Sequence, residues 1–292
     1  MSKDLLHLIE KELPNFSKGQ KLIAKYILEQ YDKAAFMTAS KLGGTVGISE
    51  STVVRFAMEL GYEGYPELQD ALQELIRNRL TAVQRIEVTT NRLNNADMIT
   101  AVLTSDIEKI KMTIDELDRK EFETVVDVIL NAKKIYILGV RSSSALATFL
   151  GFYFNLIFDN VRLVHTTSAS EMFEQILRVA EEDVVIGISF PRYSKRTVKA
   201  LQYAKDSGAE VIAITDSKNA PVAASATHVL TAKSDMASFV DSLVAPLSLI
   251  NALIVATAIK KKDEVSKIFT KLERIWDEYN VYEKIDSDSE EE

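Results

Sequence analysis

Apolar residues recur at helical spacing through the first part of the chain. Leu22, Ile23, Tyr26 and Ile27 do so within residues 18–30, behind Ser17 as a cap. Val53, Phe56, Ala57 and Leu60 follow i, i+3, i+4 and i+7 within residues 49–60, a stretch closed by Gly61. A short helix opens at 38–42, and Gly43-Gly44-Thr-Val-Gly47 reads as a tight turn before the next. Pro66 sits at a permitted first-turn position of a further helix over 66–80. Residues 1–80 are therefore an all-helical domain containing a helix-turn-helix pattern. Tyr62 and Tyr65, beside glycines, read as packing residues rather than base-stacking ones.

Residues 81–130, with a polar break at 89–95 as the boundary, read as a helical connector. Ile99, Val102, Leu103, Ile107, Ile110 and Ile114 are expected to pack on the next domain or on a second subunit. The rhythm then changes. Short apolar runs at 134–139, 161–165, 183–189, 210–215 and 227–230 alternate with helical stretches. Each crossover is long enough for a right-handed βαβ unit, so residues 131–283 predict a parallel sheet with helices on both faces. An apolar helix over 237–259 is expected to be buried by the sheet and a partner subunit. The acidic end, 284–292, is expected to be a disordered tail.

Polar residues stand where this pattern turns. Opposite the apolar face of 49–60 lie Ser51, Thr52 and Arg55. Short hydroxyls near a helix N-terminus, with Arg one turn later, suit a helix in a major groove. The same residues also suit an ordinary solvated face. At the end of the first strand, Gly139 is followed by Ser142, Ser143 and Ser144. A helix cap needs one hydroxyl, whereas three at a strand-to-helix turn suit an anion such as phosphate. The third strand ends similarly, with Ser189, Pro191, Arg192, Ser194 and Thr197, and Lys195 and Arg196 add charge. If the first and third strands pair, the two hydroxyl-rich loops grip one phosphate from two sides. His165 ends the second strand on the ligand side, Glu171 faces solvent or a sugar hydroxyl, and Lys233 is a further cation.

Composition narrows the functions. The 292 residues suffice for two domains, and a 47% apolar fraction supplies their cores. A net charge of −8 argues against non-specific coating of nucleic acid but permits a small DNA-reading surface. No cysteine and only three histidines leave no expected metal site, and no cofactor is implied. No signal peptide or convincing membrane span is read, so a cytoplasmic protein without membrane association is expected.

Two resemblances sharpen the reading. Thr38-Ala-Ser-Lys-Leu42, Gly47-Ile-Ser-Glu-Ser-Thr-Val-Val-Arg-Phe56 and Leu60-Gly-Tyr-Glu-Gly-Tyr-Pro-Glu-Leu68 resemble the DNA-binding domain of RpiR-type bacterial transcriptional regulators. Such regulators often carry a further basic residue just after Arg-Phe, where this chain has Ala57, Met58 and Glu59. The implied DNA contacts are therefore Lys41, Ser49, Ser51, Thr52 and Arg55. Gly139-Val-Arg-Ser-Ser-Ser-Ala-Leu-Ala147, Ile188-Ser-Phe-Pro-Arg-Tyr-Ser194 and Val211-Ile-Ala-Ile-Thr-Asp-Ser217 resemble the sugar isomerase (SIS) domain. The resemblance implies an all-α helix-turn-helix domain followed by an α/β domain. Its five-stranded parallel sheet would be doubly wound and flavodoxin-like.

SIS phosphate loops match onto Ser142, Ser143, Ser189, Ser194 and Thr197, although Phe190-Pro-Arg-Tyr193 departs from the usual Ser-x-Ser-Gly-x-Thr loop. Arg192 and His165 complete the expected effector site. The leading function is a regulator that binds operator DNA and senses a phosphosugar, as a homodimer or homotetramer, with no catalytic residue. The alternative is an SIS-type sugar-phosphate isomerase with an extra helical domain. A sensor acting only through protein partners is a third reading, against which Ser51 and Arg55 argue.

Overall fold

The structure, a computed structural model, describes residues 5–79, 83, 86, 97–166, 168–234 and 240–282. The described chain divides into two compact units. One holds the described residues up to Ser105 with the short segment 240–242, and the other holds 106–234 and the residues from Leu243 onward. The expected break at 89–95 and the expected acidic tail lie outside the described residues.

The N-terminal unit is helical: α1 (Leu5–Glu12), α2 (Lys18–Ala34), α3 (Ala39–Val46), α4 (Glu50–Glu59) and α5 (Tyr65–Arg79). Ser17 and Gln20 form a reciprocal capping box at the start of α2. Ile9, Ile23, Ile27, Leu42, Val53, Phe56, Leu68 and Leu72 are fully buried in one core, where the Phe16 and Phe56 rings lie 5.0 Å apart. Each such side chain contributes about 1.5–3 kcal/mol relative to exposure. Tyr65 is also buried, as its reading as a packing residue predicts. Its hydroxyl donates to the Met37 carbonyl at 2.7 Å. Gln69 and Gln73 donate to the Met37 and Ala35 carbonyls at 2.9 and 3.0 Å. Three side chains from α5 thus satisfy carbonyls left open where α2 ends.

The expected glycine turn is shorter than the sequence suggests. Gly43 and Gly44 are helical, α3 runs to Val46, and only Gly47, at φ 75°, reverses the chain. Gly43 serves contact rather than turning: a Cβ there would lie 2.6 Å from the Ile48 carbonyl oxygen. That clearance lets the segment before α4 lie against α3.

The second unit carries the later part of α6 (Met98–Glu116), then α7 (Arg119–Leu130), β1 (Lys134–Gly139), α8 (Ser143–Ile157), β2 (Val161–Val164), α9 (Ala169–Ile176) and β3 (Asp183–Ile188). It continues with α10 (Lys195–Asp206), β4 (Glu210–Thr215), β5 (His228–Thr231), α11 (Val244–Lys260) and α12 (Lys262–Glu278). The strands form one parallel sheet in the order β2-β1-β3-β4-β5. Alternation along the strands divides the core. Ile135, Ile137, Val184, Ile186, Ile212 and Ile214 face α7, α8 and α11, while Tyr136, Leu138, Val185, Val211 and Ala213 face α9 and α10.

In the connector, α7 packs on the first of these faces through Val125, Val126 and Ile129. Glu121 also accepts from the Val229 N–H at 3.2 Å and lies 3.1 Å from His228 Nδ1, tying α7 to the β5 edge. On α6, Lys109 and Thr113 are buried, whereas Ile99, Leu103, Ile107 and Ile114 are exposed. The apolar stripe of this helix therefore faces outward in the single chain.

The helix expected from Ala237 begins instead at Val244, and 237–239 lie outside the described residues. It is not buried all round. Leu249, Ile250, Leu253 and Ile254 pack into the core, while Val255 and Ile259 are exposed. Strands β2, β3 and β5 shift by a residue at one or both ends from the sequence reading, because ladder pairing rather than composition sets where a strand stops.

Candidate functional site

The sheet order reverses between β1 and β3, and their ends are in register, with Gly139 paired to Ile188. Ligands of open parallel sheets bind beyond the strand carboxyl ends at such a reversal. Two loops meet there. After β1, Gly139 lies under the first turn of α8, Ser142 occupies the cap position without making a cap hydrogen bond, and Ser143 is buried. Ser144 donates to the Arg141 carbonyl at 2.6 Å. The first N–H groups of α8 are thus left without a side-chain cap, and the helix dipole makes that end positive.

After β3, buried Ser189 is followed by Pro191 and exposed Arg192, whose φ is 62°. Ser194 caps α10, accepting from the Arg196 and Thr197 N–H groups at 3.2 and 3.5 Å. Here the ordinary capping role holds, yet the hydroxyl hydrogen of Ser194 remains available to a ligand. Thr197 is fully buried and its Oγ1 has no hydrogen-bond partner among the described residues. The hydroxyls of Ser142, Ser143 and Ser189 likewise have no partner among the described residues. Buried polar groups are ordinarily paired, and among these hydroxyls the buried Thr197 Oγ1 departs from that rule; with the uncapped end of α8, the open hydroxyls could receive an anion.

Other candidates fall outside this centre. His165 is exposed beyond the edge strand β2, where its backbone exchanges 3.3 Å hydrogen bonds with the Gln175 side chain. Glu171 is exposed and accepts from the Thr166 hydroxyl. Lys233 is held by Glu116 at 2.7 Å. Sequence reasoning does not anticipate Tyr193 as a fastener: its hydroxyl donates to Asp216 Oδ1 at 2.8 Å, which also accepts from Thr215 at 3.2 Å. The signal available for it is the Thr-Asp-Ser run that ends the apolar strand β4.

In the N-terminal unit, Ser49 occupies the cap position of α4 but makes no cap hydrogen bond to the backbone. Its Oγ instead lies 3.0 Å from Ser51 Oγ and 2.9 Å from Thr52 Oγ1. Arg55 folds back over the same turn, donating from Nε to the Ser51 carbonyl at 3.3 Å. Ser49, Ser51 and Arg55 are exposed, and Lys41 is exposed on α3 across the Gly47 turn. The arrangement joins an open helix N-terminus, three hydroxyls and a guanidinium on one surface. It can meet phosphates and base edges together.

Comparison with known proteins agrees with both halves. Residues 3–79 match the family described as "Helix-turn-helix domain, rpiR family", and residues 128–256 match the SIS domain. The chain belongs to the RpiR family of helix-turn-helix transcriptional regulators.

This RpiR-family protein is 28% identical over 233 residues to the HTH-type transcriptional regulator HexR of Escherichia coli, covering 78% of this chain and 77% of HexR. An uncharacterized HTH-type transcriptional regulator of Caldanaerobacter subterraneus is 26% identical over 270 residues, covering 90% and 93%. Among solved structures, the sugar isomerase domain of an RpiR transcription factor from Sphaerobacter thermophilus is 27% identical with a TM-score of 0.57, covering 60% of this chain and 97% of that one. The Vibrio vulnificus NanR protein, solved in complex with ManNAc-6P, shares the fold at a TM-score of 0.58 and 21% identity, covering 94% and 98%. The chain is a DNA-binding transcriptional regulator with an SIS domain.

Proposed function

We propose that the SIS domain senses a phosphorylated sugar and that its occupancy changes the affinity of the N-terminal domain for operator DNA. One observation carries the effector class: the hydroxyls of Ser142, Ser143, Ser189 and Thr197 at the reversal between β1 and β3, which have no partner among the described residues. With the positive, side-chain-uncapped end of α8, they offer a phosphate neutral donors from two sides, while the Arg196 and Thr197 N–H groups of α10 are taken by Ser194. Ser194 and Arg192 border the same place, and His165 lies one strand away. That NanR is complexed with ManNAc-6P is consistent with a phosphosugar on this fold. For DNA, the reading assigns Lys41, Ser49, Ser51, Thr52 and Arg55.

The regulator is proposed to act without catalysis. Isomerisation needs a base within reach of the transferred proton. His165 and Glu171 are both exposed, and Glu171 is engaged by Thr166. The exposed Ile99, Leu103, Ile107 and Ile114 of α6, with Phe152 of α8, support a homodimer or homotetramer. Two DNA-binding domains would then read a two-fold symmetric operator. No single described helix is long and apolar enough to cross a membrane. Operator binding places the protein's work in the cytoplasm.

Thermal-shift measurements test the effector class. Phosphorylated sugars should raise the melting temperature where their unphosphorylated forms do not. At a hundredfold excess over Kd the stabilisation is about 2.7 kcal/mol. Ser143→Ala with Ser189→Ala should reduce the shift, and equal shifts from neutral sugars would contradict the assignment.

A further inference from the structure

Backbone conformation singles out two arginines. Among the described non-glycine residues, φ is positive at Arg141 (57°), Arg192 (62°) and Asn280 (48°). Asn adopts this region readily, whereas for Arg it crowds Cβ against the backbone and costs stability. The two arginines hold corresponding places. Arg141 follows the end of β1 and directly precedes Ser142, while Arg192 follows the end of β3 and shortly precedes Ser194. Because Gly139 and Ile188 are register partners, both left-handed turns lie at the carboxyl ends of the two strands that flank the reversal.

Both arginines are exposed, and neither guanidinium has a partner among the described residues. The hydrogen bond from Tyr193 to Asp216 anchors the residue next to Arg192, so the second turn is held in place. Glycine would fit either position without strain. Strain kept at two matched positions around one site marks a role for the side chains.

A phosphate does not require these two charges, since the open hydroxyls and helix N-termini already suit it. We infer that Arg141 and Arg192 receive a second anionic group on the effector. The effector is then a sugar carrying a carboxylate or a second phosphate in addition to the first, rather than a phosphorylated neutral sugar. Guanidinium forks match both groups. The inference rests on the phosphosugar reading above and specifies its ligand class.

Calorimetric titration of the full chain tests it with glucose-6-phosphate, 6-phosphogluconate, fructose-1,6-bisphosphate and gluconate as probes. At least one doubly anionic phosphate should bind about tenfold or more tightly than glucose-6-phosphate, as expected for one or more charge-assisted contacts. Which of the two does so identifies the second group. Arg141→Gly with Arg192→Gly should erase that difference while leaving the unliganded melting temperature at or above the original, because glycine suits the backbone there. Equal affinity for all phosphorylated probes would overturn the inference, as would a preference that survives the double substitution. Gluconate binding as tightly as 6-phosphogluconate, or no binding by any phosphorylated probe, would overturn the underlying phosphosugar reading instead.

Discussion

A Cβ placed on Gly139 would lie 2.5 Å from the carbonyl oxygen of Ser143. The end of β1 and the first turn of α8 touch backbone to backbone, and this contact sets where the α8 N–H groups point. Gly139→Ala must push that turn away. We expect a loss of stability of about 1–3 kcal/mol from overpacking together with loss of the ligand-induced melting shift. Wild-type melting and a wild-type shift in this variant would contradict the placement of the site.

Thr197 gives the opposite sign. Its buried, unpaired Oγ1 carries a desolvation cost in the ligand-free protein. Such a group costs about 1–3 kcal/mol. Thr197→Val keeps the shape and removes the hydroxyl, so the ligand-free protein should melt at the same temperature or higher while effector affinity falls. A destabilised variant with full affinity would show that the hydroxyl serves packing alone.

Arg55 is exposed and, among the described residues, its side chain bonds only to its own helix turn. Arg55→Ala should leave the melting curve unchanged and weaken specific DNA binding by about tenfold or more, since a good base contact is worth about 1–3 kcal/mol. The variant's unaltered binding in a gel-shift assay would rule out this docking. Binding by the original protein should also fall steeply with salt, as phosphate contacts require.

Tyr65 offers a pH test of the helical unit. Burial pushes its hydroxyl pKa from the usual 10 up to about 12. Below pH 10 both folded and unfolded chains keep this proton; between 10 and 12 the unfolded chain loses it first. Stability from this group is therefore full below pH 10 and declines as pH rises to about 12. Tyr65→Phe should cost about 1 kcal/mol at neutral pH, because Met37 keeps its bond from Gln69. It should also flatten the alkaline decline measured by denaturant titration. An unchanged alkaline slope would contradict the burial of this hydroxyl.

These residues also mark what the sequence makes legible. The alternation that divides Ile135 and Ile137 from Tyr136 and Leu138 is local, and so is the helical spacing of Val53, Phe56 and Leu60. Both patterns are therefore readable from the order of residues alone. Gly43 misleads because a glycine pair signals a turn by composition, while its task is contact with Ile48 across the turn. The fasteners Tyr65 to Met37 and Tyr193 to Asp216 join residues 28 and 23 positions apart. Nothing local announces them. The left-handed Arg141 and Arg192 are hidden for the same reason, since arginine carries no preference for that backbone. The amphipathic stripe of α12, through Val265, Ile268, Phe269, Leu272, Ile275 and Trp276, is legible by spacing. The strong apolar run before it ends at Ile259 and masks it.

Fluorescence anisotropy with labelled DNA from the protein's own upstream region tests the central claim most directly. Dissociation constants are measured at fixed salt, without ligand, with a sugar phosphate that raises the melting temperature, and with its unphosphorylated form. The account predicts specific binding whose dissociation constant changes by roughly fivefold or more with the phosphorylated ligand and stays fixed with the unphosphorylated one. Identical DNA affinity in the presence and absence of a phosphosugar that demonstrably stabilises the protein would contradict it.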